Sequence, residues 1–229
     1  VQVPLNQVEE APARPAGHPA TEGAKLVFSS RYLLSIVAIV GLYEIISTIL
    51  DFQFTTTVSH FLDGPAIGQH FALVFTITNW VSLFVQLFLT GYVMSRFGLG
   101  IALLVLPATV ALGSTAFLLF PVLWAGSFLN TADNGFSYSI NQSAKEALYV
   151  PTSAAEKYRA KAFIDMFVQR FAKAVAVLIS LGITFAFQDY ASLRYLSLIT
   201  LVLLVFWILA ARYAGRQFRI MEESTPGNP

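Results

Sequence analysis

Cysteine is absent from this chain, which excludes disulfides, thiol catalysis and cysteine-based metal sites. Charge is scarce as well. Only 12% of the 229 residues are Asp, Glu, Lys or Arg, where a soluble domain carries roughly 25%. A net charge of +1 offers no basic surface for nucleic acid, so none is expected as a partner. His18, His60 and His70 show no zinc or haem spacing, and no cofactor is expected. There is no G-x-x-x-x-G-K-[ST] loop, and the H-E-x-x-H, G-x-S-x-G and paired-aspartate motifs of membrane enzymes are missing, so the chain is not expected to be an enzyme. Residues 1–28 lack the basic segment and short apolar core of a signal peptide. With Pro4, Pro12, Pro15 and Pro19 among Ala and Gly, they read as a flexible cytoplasmic linker.

What remains is strongly apolar: 56% of residues are hydrophobic, and the mean hydropathy is +0.65. Six stretches each approach the ~20 residues that cross a bilayer. They are helix A (Tyr32 to Val58), B (Phe71 to Met94), C (Leu99 to Phe120), D (Val122 to Ala144), E (Ala162 to Phe187) and F (Leu193 to Tyr213). The runs are long and lack the alternation of a membrane barrel. The expected fold is therefore an all-α membrane protein, a six-transmembrane-helix bundle over 29–215 with a cytoplasmic tail at 216–229. Arg14, Lys25, Arg31, Arg96, Lys145, Lys157, Arg159, Lys161, Arg212, Arg216 and Arg219 fall on one side of this arrangement. Arg194, Asp63 and Asp189 fall on the other, so both termini are expected in the cytoplasm. Trp80, Trp124, Trp207, Tyr32, Tyr149, Tyr190 and Tyr195 read as interfacial anchors.

Polar residues interrupt this pattern. At a rise of ~1.5 Å per residue, Glu44 lies ~18 Å into helix A, and Arg170 and Lys173 lie ~12 and ~17 Å into helix E. Asp133 reaches a similar depth on helix D, so acids and bases from three helices could meet at one level. Asn130, Asn134, Ser137, Tyr138 and Asn141 recur at helical steps along helix D, with Asp133 at the edge of the stripe. Asp165, Gln169, Arg170 and Lys173 fall roughly on one side of helix E, while Asn79 and Gln86 share a face of helix B. Two readings stand: buried pairs that hold helices together, or a solute pathway with Arg170 and Lys173 attracting an anion and Glu44 and Asp133 as counter-charges. Asp51 is either an interfacial acid or part of the pathway's outer lining.

Two segments carry a resemblance. Gly91-Tyr-Val-Met-Ser-Arg96-Phe-Gly98 resembles the G-x-x-x-D-R-x-G loop of the major facilitator superfamily, with Ser95 at the acidic position. Lys145-Glu-Ala-Leu-Tyr149-Val-Pro151, then Glu156-Lys-Tyr-Arg-Ala-Lys161-Ala-Phe-Ile-Asp165, is similar to the ATP:ADP antiporter family within that superfamily, and Asp51-Phe-Gln-Phe54 resembles its acidic-aromatic-Gln-aromatic motif. That family's glycine-rich continuation is replaced here by Phe171-Ala-Lys-Ala-Val-Ala. The resemblance implies the C-terminal six-helix half of an inner-membrane transporter that moves an anionic, nucleotide-like solute by alternating access. It also implies Lys145, Lys161, Arg170 and Lys173 as substrate-binding candidates along a phosphate route; the polar stripe adds Asn134 and Asn141, and the depth reading adds Glu44, Asp51 and Asp133 as ion-pair or coupling residues. A single half cannot form a two-bundle gate. The expected partners are the bilayer, the solute, and an N-terminal half, a second copy or a larger membrane complex. The alternative is a non-transporting six-helix subunit that docks on such a complex.

Overall fold

The structure, a computed structural model, describes residues 19–187 and 189–223. All regular structure among the described residues is helical. Backbone N–H and C=O groups placed among lipid tails have to be satisfied within the segment, and a helix does so.

Helix α1 (Pro19–Ser29) leads to α2 (Arg31–Phe61), which Ser30 caps by accepting from the Leu33 N–H. Helix α3 (Pro65–Phe84) starts on a proline, where the missing N–H costs nothing. It continues through a π-helical turn, Val85–Thr90, into α4 (Gly91–Leu119). Gly98 breaks α4 with φ 77 and ψ 172, a backbone state that favours glycine. After α5 (Leu123–Phe136), a second π turn at Ser137–Asn141 passes into α6 (Gln142–Ala147). Helix α7 (Ala154–Phe163) begins with a capping box of Ser153 and Glu156, and a π turn at Ile164–Val168 joins it to α8 (Gln169–Ala186). The last helix is α9 (Leu193–Glu223).

Among the described residues, four stretches are long and apolar enough to cross a membrane: Arg31–Phe61, Pro65–Leu119, Glu156–Ala186 and Tyr190–Glu223. The sequence count of six is larger for two reasons. Helices B and C both fall within the second stretch, parted at Gly98, and helix D corresponds to the run 123–147, whose polar stripe lowers its hydropathy.

Helix α2 sits centrally, packed on α9, α8 and α5, while α4 packs on α9 and α5, and α3 on α5. The apolar core joins Ile36, Ile39 and Ile46 of α2 to Leu103 and Leu106 of α4 and Trp207 of α9. Outward faces carry Leu112, Leu178, Phe185 and Val202, as lipid-facing helices do. At one end the Tyr32 hydroxyl donates to the Leu148 carbonyl at 2.6 Å. At the other, the Tyr190 hydroxyl donates to the Pro121 carbonyl at 2.9 Å, and its ring stacks on His60 at 3.9 Å.

Several expectations are corrected. Trp207 is not an interfacial anchor; it is fully buried, 5.6 Å from the Tyr43 ring. Tyr32 and Tyr149 are also buried, whereas Trp80 and Trp124 are exposed. The expected linker is helical over Pro19–Ser29 and packs on α7, with Val27 buried there; the rest of the linker, residues 1–18, lies outside the described residues. The expected tail continues α9 as far as Glu223. Where α9 crosses α4 the helices come close at glycines: a Cβ on Gly215 would lie 3.0 Å from the Gly100 Cα.

Candidate functional site

One face of α2 organises the polar residues. Tyr43, Glu44, Ser47, Thr48 and Asp51 recur at one-turn spacing and border a cavity of about 480 Å³. Asn134, Tyr138, Gln142 and Lys145 close it from the α5–α6 rod, and Gln169 and Lys173 from α8. A second cavity of about 400 Å³ adjoins it through Gln142, Lys145 and Gln169, and reaches Glu146, Lys161 and Asp165. A third, of about 590 Å³, adjoins it through Asp51, Asn134 and Tyr138, and reaches Phe54, Phe71, Phe75, Asn79 and Asn130. The three form one polar groove along α2. Two of the π turns border it: Tyr138 lies on one and Asp165 on the other. Such turns insert a residue and re-aim the side chains around it.

Two ion pairs, Lys161–Glu146 and Lys173–Glu44, differ. Lys161 Nζ donates to both Glu146 carboxylate oxygens, at 2.7 and 2.8 Å, and ties α7 to α6. Lys173 Nζ stands 3.5 Å from Glu44 Oε2, with the lysine side chain 59% exposed and the glutamate 12%. The first is a tight bridge; the second is a loose contact with a cation still open to the cavity. Lys145 holds its ammonium 5.2 Å from the centre of the Tyr43 ring, a cation–π contact.

Asp133 is fully buried behind this face, where Oδ2 accepts from the Ser47 hydroxyl at 2.7 Å and Oδ1 has no partner. Asp51 Oδ1 accepts from Asn130 Nδ2 at 2.9 Å, and Asn134 Nδ2 donates to the Asn130 carbonyl at 3.1 Å. The Asn130 side-chain oxygen and both polar atoms of Asn141 are buried without partners.

Of the residues singled out from the sequence, Glu44, Asp51, Asn134, Lys145 and Lys173 line the central cavity, and Lys161 the second. Asp133 and Asn141 are packed behind them and border none of the described cavities. Arg170 does not join the group: it is exposed and borders none of the described cavities. Gln169 and Lys173 lie one turn apart and take the groove face, which leaves Arg170 round the helix. Asn79 lines the third cavity, whereas Gln86 is exposed and lines none of those described. Tyr43, Ser47, Thr48 and Gln142 were not anticipated as lining residues. The spacing Tyr43-Glu44-x-x-Ser47-Thr48-x-x-Asp51 would have marked the α2 face.

Comparison with known proteins adds similarities. The family model described as TLC ATP/ADP transporter matches residues 118–218. ADP,ATP carrier protein 2 of Chlamydia pneumoniae is 24% identical over 84% of this chain and 40% of its own length. The chloroplastic ADP,ATP carrier protein 1 of Arabidopsis thaliana is 24% identical, over 86% of this chain and 35% of its own length. For the plastidic ATP/ADP-transporter of Solanum tuberosum the identity is 24%, over 86% of this chain and 34% of its own length. No solved structure matches. The chain spans two fifths or less of the length of these relatives, and within that span it is similar to ATP/ADP carriers along most of its own sequence.

Proposed function

We propose that this chain is the C-terminal six-helix half of a nucleotide exchanger of the TLC ATP/ADP transporter type, with both termini in the cytoplasm, and that its groove is half of the solute route. The observation that carries the reading is the central cavity, a space large enough for a small organic anion that Lys145 and Lys173 line together with Glu44 and Asp51. Charge held among apolar helices is costly, and it is kept where it meets solute, water or a counter-charge. The names of the matching relatives support nucleotides as the solute, and the coverage of their length supports a partner bundle. In this reading the groove along α2 faces that bundle, and rocking of one against the other alternates access. An anionic phosphate group approaches Lys173 and weakens its loose contact with Glu44. Lys161, already held by Glu146, serves the route less directly.

The test is exchange by the full-length protein in proteoliposomes preloaded with ADP and supplied with labelled ATP outside. Lys173→Gln removes a charge-assisted contact of ~1.5–3 kcal/mol, a loss of roughly ten- to hundredfold in apparent affinity. Full uptake by that variant contradicts the reading. The second reading, a docking subunit, has in its favour the Lys161–Glu146 bridge, which fastens helix ends together. It takes over if the wild-type protein moves no nucleotide and purifies only with other subunits.

A further inference from the structure

We propose that the third cavity is the seat of a flat heteroaromatic ring, so that a nucleotide lies along the groove with its phosphates at Lys145 and Lys173 and its base among Phe54, Phe71 and Phe75. This rests on the reading of the groove as a nucleotide route and assigns its two ends. The ends are chemically unlike. The Lys145–Lys173 end is polar and cationic, whereas the far end is walled by an aromatic cluster. Phe54 meets Phe71 edge-on at 5.3 Å, and Phe75 lies 5.8 Å from Phe71 at an interplanar angle of 30°. Phe75 lines this cavity and is half exposed, so its ring is available to a stacking partner.

Polar groups at that end match a base edge better than an anion. Asn79 and Asn130 supply amides, and the Asn130 side-chain oxygen is buried without a hydrogen-bond partner. A ring amine that donates to this oxygen satisfies it, whereas a phosphate, an acceptor, does not. Asp51 stands at the boundary between the two cavities, hydrogen-bonded to Asn130. Its carboxylate repels phosphate and so polarises the route: phosphates on the lysine side, base and sugar hydroxyls beyond. A lipid chain could fill an aromatic cavity, but it has no use for two amides and a carboxylate.

The experiment measures ADP and inorganic pyrophosphate binding to the full-length protein in detergent, by competition against one labelled nucleotide. The wild type is expected to bind ADP more tightly than pyrophosphate. Base stacking is sequence-tolerant and sizeable, so Phe75→Ala is expected to reduce the ratio of ADP to pyrophosphate affinity about tenfold. Asn79→Ala, also at an exposed position, is expected to reduce that ratio in the same direction, and Lys173→Gln to weaken both ligands together. If Phe75→Ala and Asn79→Ala leave the ratio unchanged while Lys173→Gln weakens both ligands, the ring assignment falls and the transport reading stands. If the wild type binds neither ligand, both fall. Weaker ADP binding on adding a short-chain lipid, with the ratio unmoved by Phe75→Ala, identifies the cavity as a lipid site and overturns the assignment.

Discussion

Asp133 and Lys173 show how differently two charged residues at similar depth can be used. Asp133 has no cation within salt-bridge distance among the described residues and takes one hydrogen bond, from Ser47. Ser47→Ala strips that donor and leaves the buried carboxyl unsatisfied, at a cost of ~1–3 kcal/mol. The expected outcome is a lower melting temperature in detergent, largely restored in Ser47→Thr, which keeps the hydroxyl. Lys173 sits at the cavity and Arg170 away from it, so Arg170→Gln is expected to leave nucleotide uptake close to wild type where Lys173→Gln does not. Equal losses from the two variants contradict the assignment. Depth along a helix was legible in the sequence, and it brought out Glu44 and Lys173. Depth says nothing of azimuth, so Arg170, a near neighbour of Lys173 on the same helix, could not be separated from it. Trp207 was misread for a related reason: an indole near a helix end fits a belt as well as a core, and only the ring of Tyr43 beside it decides.

Among the elements, α4 and α9 depend on close packing, and α6 and α7 on a surface bridge. Gly215 meets Gly100 where α9 crosses α4, so Gly215→Val forces the helices apart. Overpacking of this kind costs ~1–3 kcal/mol, measurable as a fall in thermal stability. The Lys161–Glu146 pair is short but partly exposed, with side chains 35% and 42% accessible. A double-mutant cycle is expected to return a coupling of ~0.2–1 kcal/mol; several times that value would mean the pair is shielded by a partner absent from this chain. Elements of this size were partly legible. The long apolar runs gave α2, α8 and α9, and the capping box at Ser153 and Glu156 is readable as a pattern. The π turns were not, because a one-residue shift in the helical hydrogen-bond register leaves no mark in composition or periodicity. Nor was α1, whose proline- and glycine-bearing sequence acquires its helix by packing on α7.

For the whole molecule, the central idea is a wet groove along α2 that runs from Lys161 past Glu44 and Lys173 to Phe75. The positive-inside pattern predicts its Lys161 end to face the cytoplasm. This chain has no cysteine, so a thiol introduced into it is its sole thiol. Tyr158→Cys, exposed near Lys161, is expected to react with an impermeant maleimide only from the cytoplasmic side, and Asp189→Cys only from the opposite side. The most direct measurement places the thiol in the groove itself. Thr48→Cys, at the wall of the central cavity, is labelled with a water-soluble maleimide, with and without ADP, in the full-length protein with any cysteine outside this chain replaced by serine. The account predicts ready labelling that ADP slows. A thiol that no aqueous reagent reaches, or one that ADP leaves equally reactive, contradicts it.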